Sequence, residues 1–166
     1  MKTVLLAGGT GGAKIAHGLQ QVLPAGDLAV VVNVADDLEW QGLPVSPDLD
    51  TILYTLAGLA DPIQGWGVAG DTQTGMRMLE RYGAETWFRV GDADLATHVH
   101  RSALMRGGAS LTDATAALSQ ALGVPSRLLP VSDDPVRTVV ETAGALRERL
   151  GAVSYTHLTL PTKLEV

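Results

Sequence analysis

Thr3–Val34, TVLLAGGTGGAKIAHGLQQVLPAGDLAVVVNV, holds two short apolar runs with a glycine cluster and an amphipathic stretch between them. The runs Thr3–Ala7 and Leu28–Val34 are rich in valine and leucine, as strands buried on both faces of a parallel sheet are. Ile15, Leu19 and Leu23 recur at four-residue spacing and predict a helix over 13–23. Strand, glycine turn, helix, strand is a βαβ unit. The expected fold is therefore α/β, a Rossmann-like parallel sheet with flanking helices.

The glycine cluster, AGGTGGAK at Ala7–Lys14, fits neither common phosphate template. A P-loop needs Gly-Lys-Ser/Thr, and here Ala13 precedes Lys14 and Ile15 follows it. The dinucleotide fingerprint, counted from Gly9, meets Lys14 where its third glycine belongs. The physics is shared all the same. Gly8, Gly9, Gly11 and Gly12 let the backbone come close to an anion, Thr10 offers a hydroxyl, and a helix start at Ala13 offers unpaired N–H groups. Four glycines in five residues exceed what a ligand-free turn requires, so the cluster reads as a phosphate-binding loop.

Five acids, Asp36, Asp37, Glu39, Asp48 and Asp50, crowd Asn33–Thr51, a stretch that reads as loop. Asn33, Asp36 and Asp37 follow the second strand at its carboxyl end, where open α/β sheets bind ligands. Asp48 and Asp50 flank the start of an apolar segment, Thr51–Ala60, read as a buried helix; one of them can be its N-cap. Carboxylates beside a bound diphosphate are reconciled by a divalent cation, and Mg²⁺ held by Asp48 and Asp50 is the expected cofactor. A carboxylate acting as general base toward an attacking hydroxyl is the other use of the same residues.

The remaining chain reads as helices over 71–82, 94–105 and 110–122, strand candidates at Thr86–Arg89 and Arg127–Val131, and a helix opening at Pro135. Ser110 and Asp113 have capping-box spacing. On the helix from Asp94, Thr97, His98 and Arg101 share its face, which suits either a ligand or solvent. Asp71 with Thr72, and Asp133 with Asp134, read as helix caps; Trp66 as core or as a surface that stacks on a ring; His17 as solvated. The 166 residues are 46% apolar and 18% charged with 19 glycines, which suits one compact domain. No cysteine is present, which excludes disulfides and thiolate metal sites, and a net charge of −6 argues against nucleic acid. No segment is long and apolar enough for a membrane span or signal core, so a cytoplasmic protein is expected. Val153–Val166 lacks any place in the pattern, and its first six residues can be encoded by a transposon-end adapter sequence. It reads as a non-native tail on the N-terminal part, residues 1–152, of a longer α/β domain.

Seven segments in order, GGTGGAK, VVNVADDLEW, SPDLDT, GWGVAGDT, GDADLATH, GASLTDAT and SDDPVRT, resemble the 2-phospho-L-lactate transferase family of coenzyme F-420 biosynthesis. The resemblance covers residues 1 to about 150. It implies a Rossmann-like fold and a Mg²⁺-dependent transfer of a phospholactyl or phosphoenolpyruvyl group. The donor is its guanosine diphosphate adduct, the acceptor is the deazaflavin Fo, and GMP is released; the full-length form is expected to be a homodimer. By motif, Gly8, Gly9, Thr10 and Gly11 would hold the diphosphate, Asp50 would contact Fo or the metal, and the Thr97, His98 and Arg101 stripe would face guanosine or phosphate. One departure stands out: Ala93 occupies a position where the family usually has an arginine assigned to Fo, which implies either weaker acceptor binding or replacement by Arg101. The alternative from another class is a non-enzymatic nucleotide-sugar-binding regulator, similar to the gluconeogenesis-factor family. That family shares the glycine loop and the VADD strand end but follows its acids with a Gly/Ser-rich run, unlike LEWQGLPVSPDLDT here.

Overall fold

The computed structural model describes residues 2–136 and 138. In chain order the elements are β1 (Thr3–Ala7), α1 (Gly9–Val22), β2 (Leu28–Val32), β3 (Leu38–Trp40), β4 (Leu43–Val45), α2 (Pro47–Leu56), α3 (Thr74–Arg81), α4 (Asp92–Arg106), α5 (Leu111–Ala121) and β5 (Arg127–Pro130). β1 pairs with β2 in parallel from Thr3↔Leu28 to Ala7↔Val32, and β5 continues the parallel sheet on the far edge of β2. The strand order is β1-β2-β5, and the α/β reading holds.

Side-chain alternation along each strand sorts the sheet into two faces. Leu5 and Ala7 of β1, Leu28, Val30 and Val32 of β2, and Leu128 of β5 point to one side. There they meet Ala13 and Ala16 of α1, Leu49, Ile52 and Leu53 of α2, and Leu111, Ala114 and Leu118 of α5. The two alanines, 1% and 0% exposed, let α1 lie close to the strands. The opposite face carries Val4, Leu6, Ala29, Val31 and Leu129, and Val4 and Leu6 remain 65% and 78% exposed.

The stretch read as loop contains an antiparallel hairpin, β3 with β4, closed by Gln41 and Gly42 at φ 52° and 71°. Two consecutive positive φ angles are those of a type I′ turn, usually signalled by Asn-Gly. Here Gln-Gly closes three-residue strands, so neither turn nor alternation announces itself. The hairpin covers a second cluster of Trp40, Val45, Met76 and Val90, with Leu79, Phe88 and Leu95 against it. Thr86–Arg89 forms no strand; Phe88 instead packs on Trp40 at 6.1 Å between ring centroids. α2 begins at Pro47 rather than Thr51, with Pro47 in its first turn and Ser46 at the N-cap position, so neither Asp48 nor Asp50 is the cap. α3 starts at Thr74, not Asp71. α4 and α5 stand within two residues of their expected bounds, and the Ser110–Asp113 capping box is formed. Of the helix read from Pro135, only residues 135, 136 and 138 are described and none of them is helical; the rest of it and the tail at 153–166 fall outside the described residues.

Candidate functional site

α1 begins at Gly9, four residues earlier than the apolar spacing predicts, so the glycine cluster is its first turn rather than a loop. Gly8 is the extended N-cap, and the first bond of the helix runs from the Gly12 N–H to the Gly8 carbonyl at 3.1 Å. The N–H groups of Gly9, Thr10 and Gly11 therefore have no intrahelical acceptor, and the positive end of the helix dipole lies with them. The glycines serve different ends. A Cβ on Gly12 would lie 2.8 Å from the Ala7 Cβ, so that glycine is demanded by the packing of α1 on β1, whereas a Cβ on Gly11 would meet nothing within 4 Å among the described residues.

Asp48 sits over this turn. Its Oδ2 lies 3.0 Å from where a Gly8 Cβ would be and accepts a hydrogen bond from Asn33 Nδ2 at 3.0 Å. Asn33 is itself fixed, its N–H donating to the Ala7 carbonyl at 2.9 Å and its Oδ1 accepting from the Ala35 N–H at 3.1 Å. Asp36 is close enough that burial first, and then the Asp48 charge, raise its carboxyl above the usual range. Gly8 to Gly12, Asn33, Asp36 and Asp48 thus converge at the carboxyl ends of β1 and β2.

Asp50 points elsewhere, because residues two apart on a helix face different sides. It is 5% exposed, and both of its oxygens lie in the fork of Arg101: Nη1 donates to Oδ2 at 3.1 Å and Nη2 to Oδ1. His98 bridges inward, Nδ1 3.6 Å from Asp50 Oδ2 and Nε2 3.4 Å from Asp94 Oδ1, which also accepts from Tyr54 Oη at 2.7 Å. His98 and Arg101 are each 1% exposed, so this side of the helix stripe is directed into the protein, with Thr97 half-buried beside Tyr54. Burial lowers the Arg101 guanidinium, but the paired Asp50 carboxylate more than offsets this and holds it charged. Burial also raises Asp94 and Tyr54. Asp37 is pushed up to about 7, mainly by burial; Ser46 Oγ donates to its Oδ2 at 2.6 Å, and its Oδ1 is buried with no hydrogen-bond partner among the described residues.

These contacts sort the acids for a cation. One ligand atom each of Asp50, Asp94 and His98 lies within 4.8 Å of the others, but a guanidinium already occupies both oxygens of Asp50. The donor set there fits an ion-pair network rather than Mg²⁺. Asp48 and Asp36, half-buried beside free N–H groups, are the carboxylates whose chemistry suits a divalent ion shared with phosphate. Arg101 is likewise not free to take the place of an arginine at Ala93, which is exposed and donates its N–H to Asp71 Oδ1 at 2.9 Å.

A second feature escaped the sequence reading. A cleft of about 160 Å³ is bordered by Asp61, Gln64, Trp66, Asp71, Arg89 and Asp94, with Trp66 49% exposed at its side rather than in the core. Its wall is stiffened by a reciprocal pair of caps. Asp71 accepts from the Ala93 and Asp94 N–H groups at the start of α4, and Asp92 accepts from Thr74 and Gly75 at the start of α3. Asp133, read as capping its own helix, instead accepts from the Thr112 N–H of α5 at 2.7 Å. His17 is exposed as expected.

Comparison with known proteins gives a consistent picture. The profile of the family described as 2-phospho-L-lactate transferase CofD matches residues 3–154. The chain is 46% identical over 139 residues to a 2-phospho-L-lactate transferase of Methanosarcina acetivorans, covering 84% of this chain and 45% of that protein. It is 41% identical to a phosphoenolpyruvate transferase of Mycobacterium bovis, covering 93% of this chain and 51% of that one. The chain therefore spans about half the length of the curated relatives it matches. A solved UPF0052-family structure from Bacillus halodurans shares the fold at a TM-score of 0.51 and 19% identity, over 80% of this chain and 40% of its own.

Proposed function

The chain belongs to the 2-phospho-L-lactate transferase CofD family, and on that footing we propose that it holds the donor diphosphate in a phospholactyl or phosphoenolpyruvyl transfer to the deazaflavin Fo. The observation that supports this most is the open first turn of α1, with Asp48 held above it by Asn33. A guanosine diphosphate adduct would lay its phosphates against the N–H groups of Gly9, Thr10 and Gly11, where dipole and donors favour negative charge. A hydroxyl of Fo attacks the phosphorus that carries the three-carbon acid, the bond from that phosphorus to the bridging oxygen breaks, and GMP leaves. The hydroxyl proton passes to a carboxylate or water. Asp48, with Asp36, would hold Mg²⁺, which would supply charge neutralisation for the diphosphate and the leaving GMP. Asp50 holds Arg101 and so keeps α2 and α4 in place, one step back from the reacting atoms. The cleft beside Trp66 and Asp94 suits a planar acceptor, with the indole as its stacking surface.

GMP release from the guanosine diphosphate adduct of lactate, with Fo as acceptor, is the direct test. Asp48→Asn is expected to lower the rate by at least about a hundredfold, as loss of a charge clamp does, with the thermal midpoint nearly unchanged. GMP release at the parent rate in Asp48→Asn would remove that residue from the reaction.

A further inference from the structure

Three carboxylates, Asp61, Asp71 and Asp94, border the cleft beside Trp66, and they are not equivalent. Asp61 accepts from the Gln64 and Ile63 N–H groups on Oδ1 and from the Gln64 amide on Oδ2, and these donors hold its carboxyl below the usual range. Asp71 accepts from the Thr72 and Ala93 N–H groups on Oδ1 and from the Asp94 N–H on Oδ2. Asp94 differs. Its Oδ1 accepts from Tyr54 Oη at 2.7 Å and lies 3.4 Å from His98 Nε2, whereas its Oδ2 accepts no hydrogen bond among the described residues. We propose that Asp94 is the general base that takes the proton of the attacking hydroxyl, positioned by Tyr54 and His98, a role that rests on the proposed transfer to Fo.

An acid in the first turn of a helix is ordinarily explained by the dipole, and Asp92 and Asp94 both stand in the first turn of α4. Asp92 serves the start of α3. Asp94 instead turns toward α2, and the His98 behind it reaches Asp50, itself locked to Arg101. One oxygen is thereby fixed and the other left open, with 15% of the side chain exposed. A base needs that combination of a held rotamer and a free lone pair. Burial is the main cause that raises its carboxyl, aided by the Asp50 charge and opposed by His98, Tyr54 and Arg101. The other charged groups around it are Asp71, behind its N–H, and Asp61 and Arg89 on the border of the cleft. The donor is close by. A Cβ on Gly65 would lie 3.7 Å from Thr10 Cγ2, so the loop that carries Trp66 rests on the glycine turn. As the hydroxyl proton passes to Asp94 Oδ2, the oxygen forms its bond to phosphorus, the bond to the bridging oxygen breaks, and GMP leaves. Asp94 then returns the proton to water.

The test follows GMP release between about pH 5 and 9, with the guanosine diphosphate adduct of lactate as donor and Fo as acceptor. The parent chain is compared with Asp94→Asn and Tyr54→Phe, each with its affinity for guanosine diphosphate and its thermal midpoint. Asp94→Asn keeps an acceptor for Tyr54 and the size of the side chain. It should lower kcat at least about a hundredfold and lose the acid limb of the profile, with KM for Fo and diphosphate affinity within about twofold of the parent. Tyr54→Phe removes a donor that favours the charged carboxylate, so its acid limb should move to higher pH. A lowered midpoint and weaker Fo binding in Asp94→Asn, with the limb in place, would mean a structural role and overturn the proposal. If Asp94→Asn does not fold, Tyr54→Phe decides, and an unmoved limb overturns it. Parent-rate GMP release in Asp94→Asn would remove the base and leave the transfer standing. No GMP release by the parent chain would contradict the transfer itself, and the base with it.

Discussion

Removing the carboxylate in Asp50→Ala strands the Arg101 guanidinium in a site that is 1% exposed. An uncompensated buried charge costs roughly 3–5 kcal/mol, so the urea midpoint of Asp50→Ala should fall sharply. The double variant Asp50→Ala, Arg101→Met should recover most of the loss. Asp48→Ala, two residues away and only half-buried, should change stability by no more than about 1 kcal/mol. Asp37 adds a pH signature. Burial holds its carboxyl at about 7 against 3.8 for the free acid, so between about pH 4 and 7 the folded state carries a proton that the unfolded chain has lost. Stability is then fully present below about pH 4, falls as pH rises, and levels off above about pH 7; Asp36 and Asp94, also raised, act in the same sense. Asp37→Asn should flatten this slope and be more stable than the parent at pH 8 by roughly 1–3 kcal/mol, as a denaturant series across pH would show. The Asp48–Asn33–glycine grouping was legible in the sequence because a βαβ unit brings a strand end to the neighbouring turn. The Asp50–Arg101 pair was not, since its partners lie 51 residues apart and nothing local marks Asp50 as buried.

At the level of elements, the cap exchange between α3 and α4 ties two helices into one unit. Asp71 satisfies α4 and Asp92 satisfies α3, so loss of either loosens the helix it caps and the contact between them. Asp71→Ala should cost about 1–2 kcal/mol and speed amide exchange at the start of α4. Gly91→Ala should do the same without touching a carboxylate, because its Cβ would lie 2.1 Å from Asp71 Oδ2 and displace it. Exchange rates at Ala93 and Asp94 that match the parent in Gly91→Ala would contradict this account. The exchange hides from sequence because a local rule assigns each acid to the nearest helix. Asp71 stands three residues before α3 yet caps a helix that begins twenty-one residues on. Ser110 and Asp113 were legible for the opposite reason: their capping box is closed within a single turn.

For the whole molecule, the parallel sheet and its flanking helices follow from Val/Leu runs alternating with helical spacing, and that much was readable; the placement of the described helices on one face was not. The hairpin under Trp40 was not, because its strands have three residues each and its turn lacks asparagine. α1 starts earlier than its apolar spacing predicts because glycine, the weakest helix former after proline, gives no helical signal in the first turn, and at Gly12 it is required by packing against Ala7. That early start is what leaves the Gly9, Thr10 and Gly11 donors free, and with it the reading of a diphosphate held at the helix end. Gly11 is the position that isolates this claim, since a Cβ there meets nothing within 4 Å among the described residues and stands where a ligand would approach. The decisive measurement is calorimetric titration of guanosine diphosphate into the parent chain and into Gly11→Ala, each with its thermal midpoint. The account predicts binding to the parent and at least about tenfold weaker binding to Gly11→Ala, a difference of about 1.4 kcal/mol, at an unchanged midpoint. Equal affinity in the two proteins, or none in either, would contradict it.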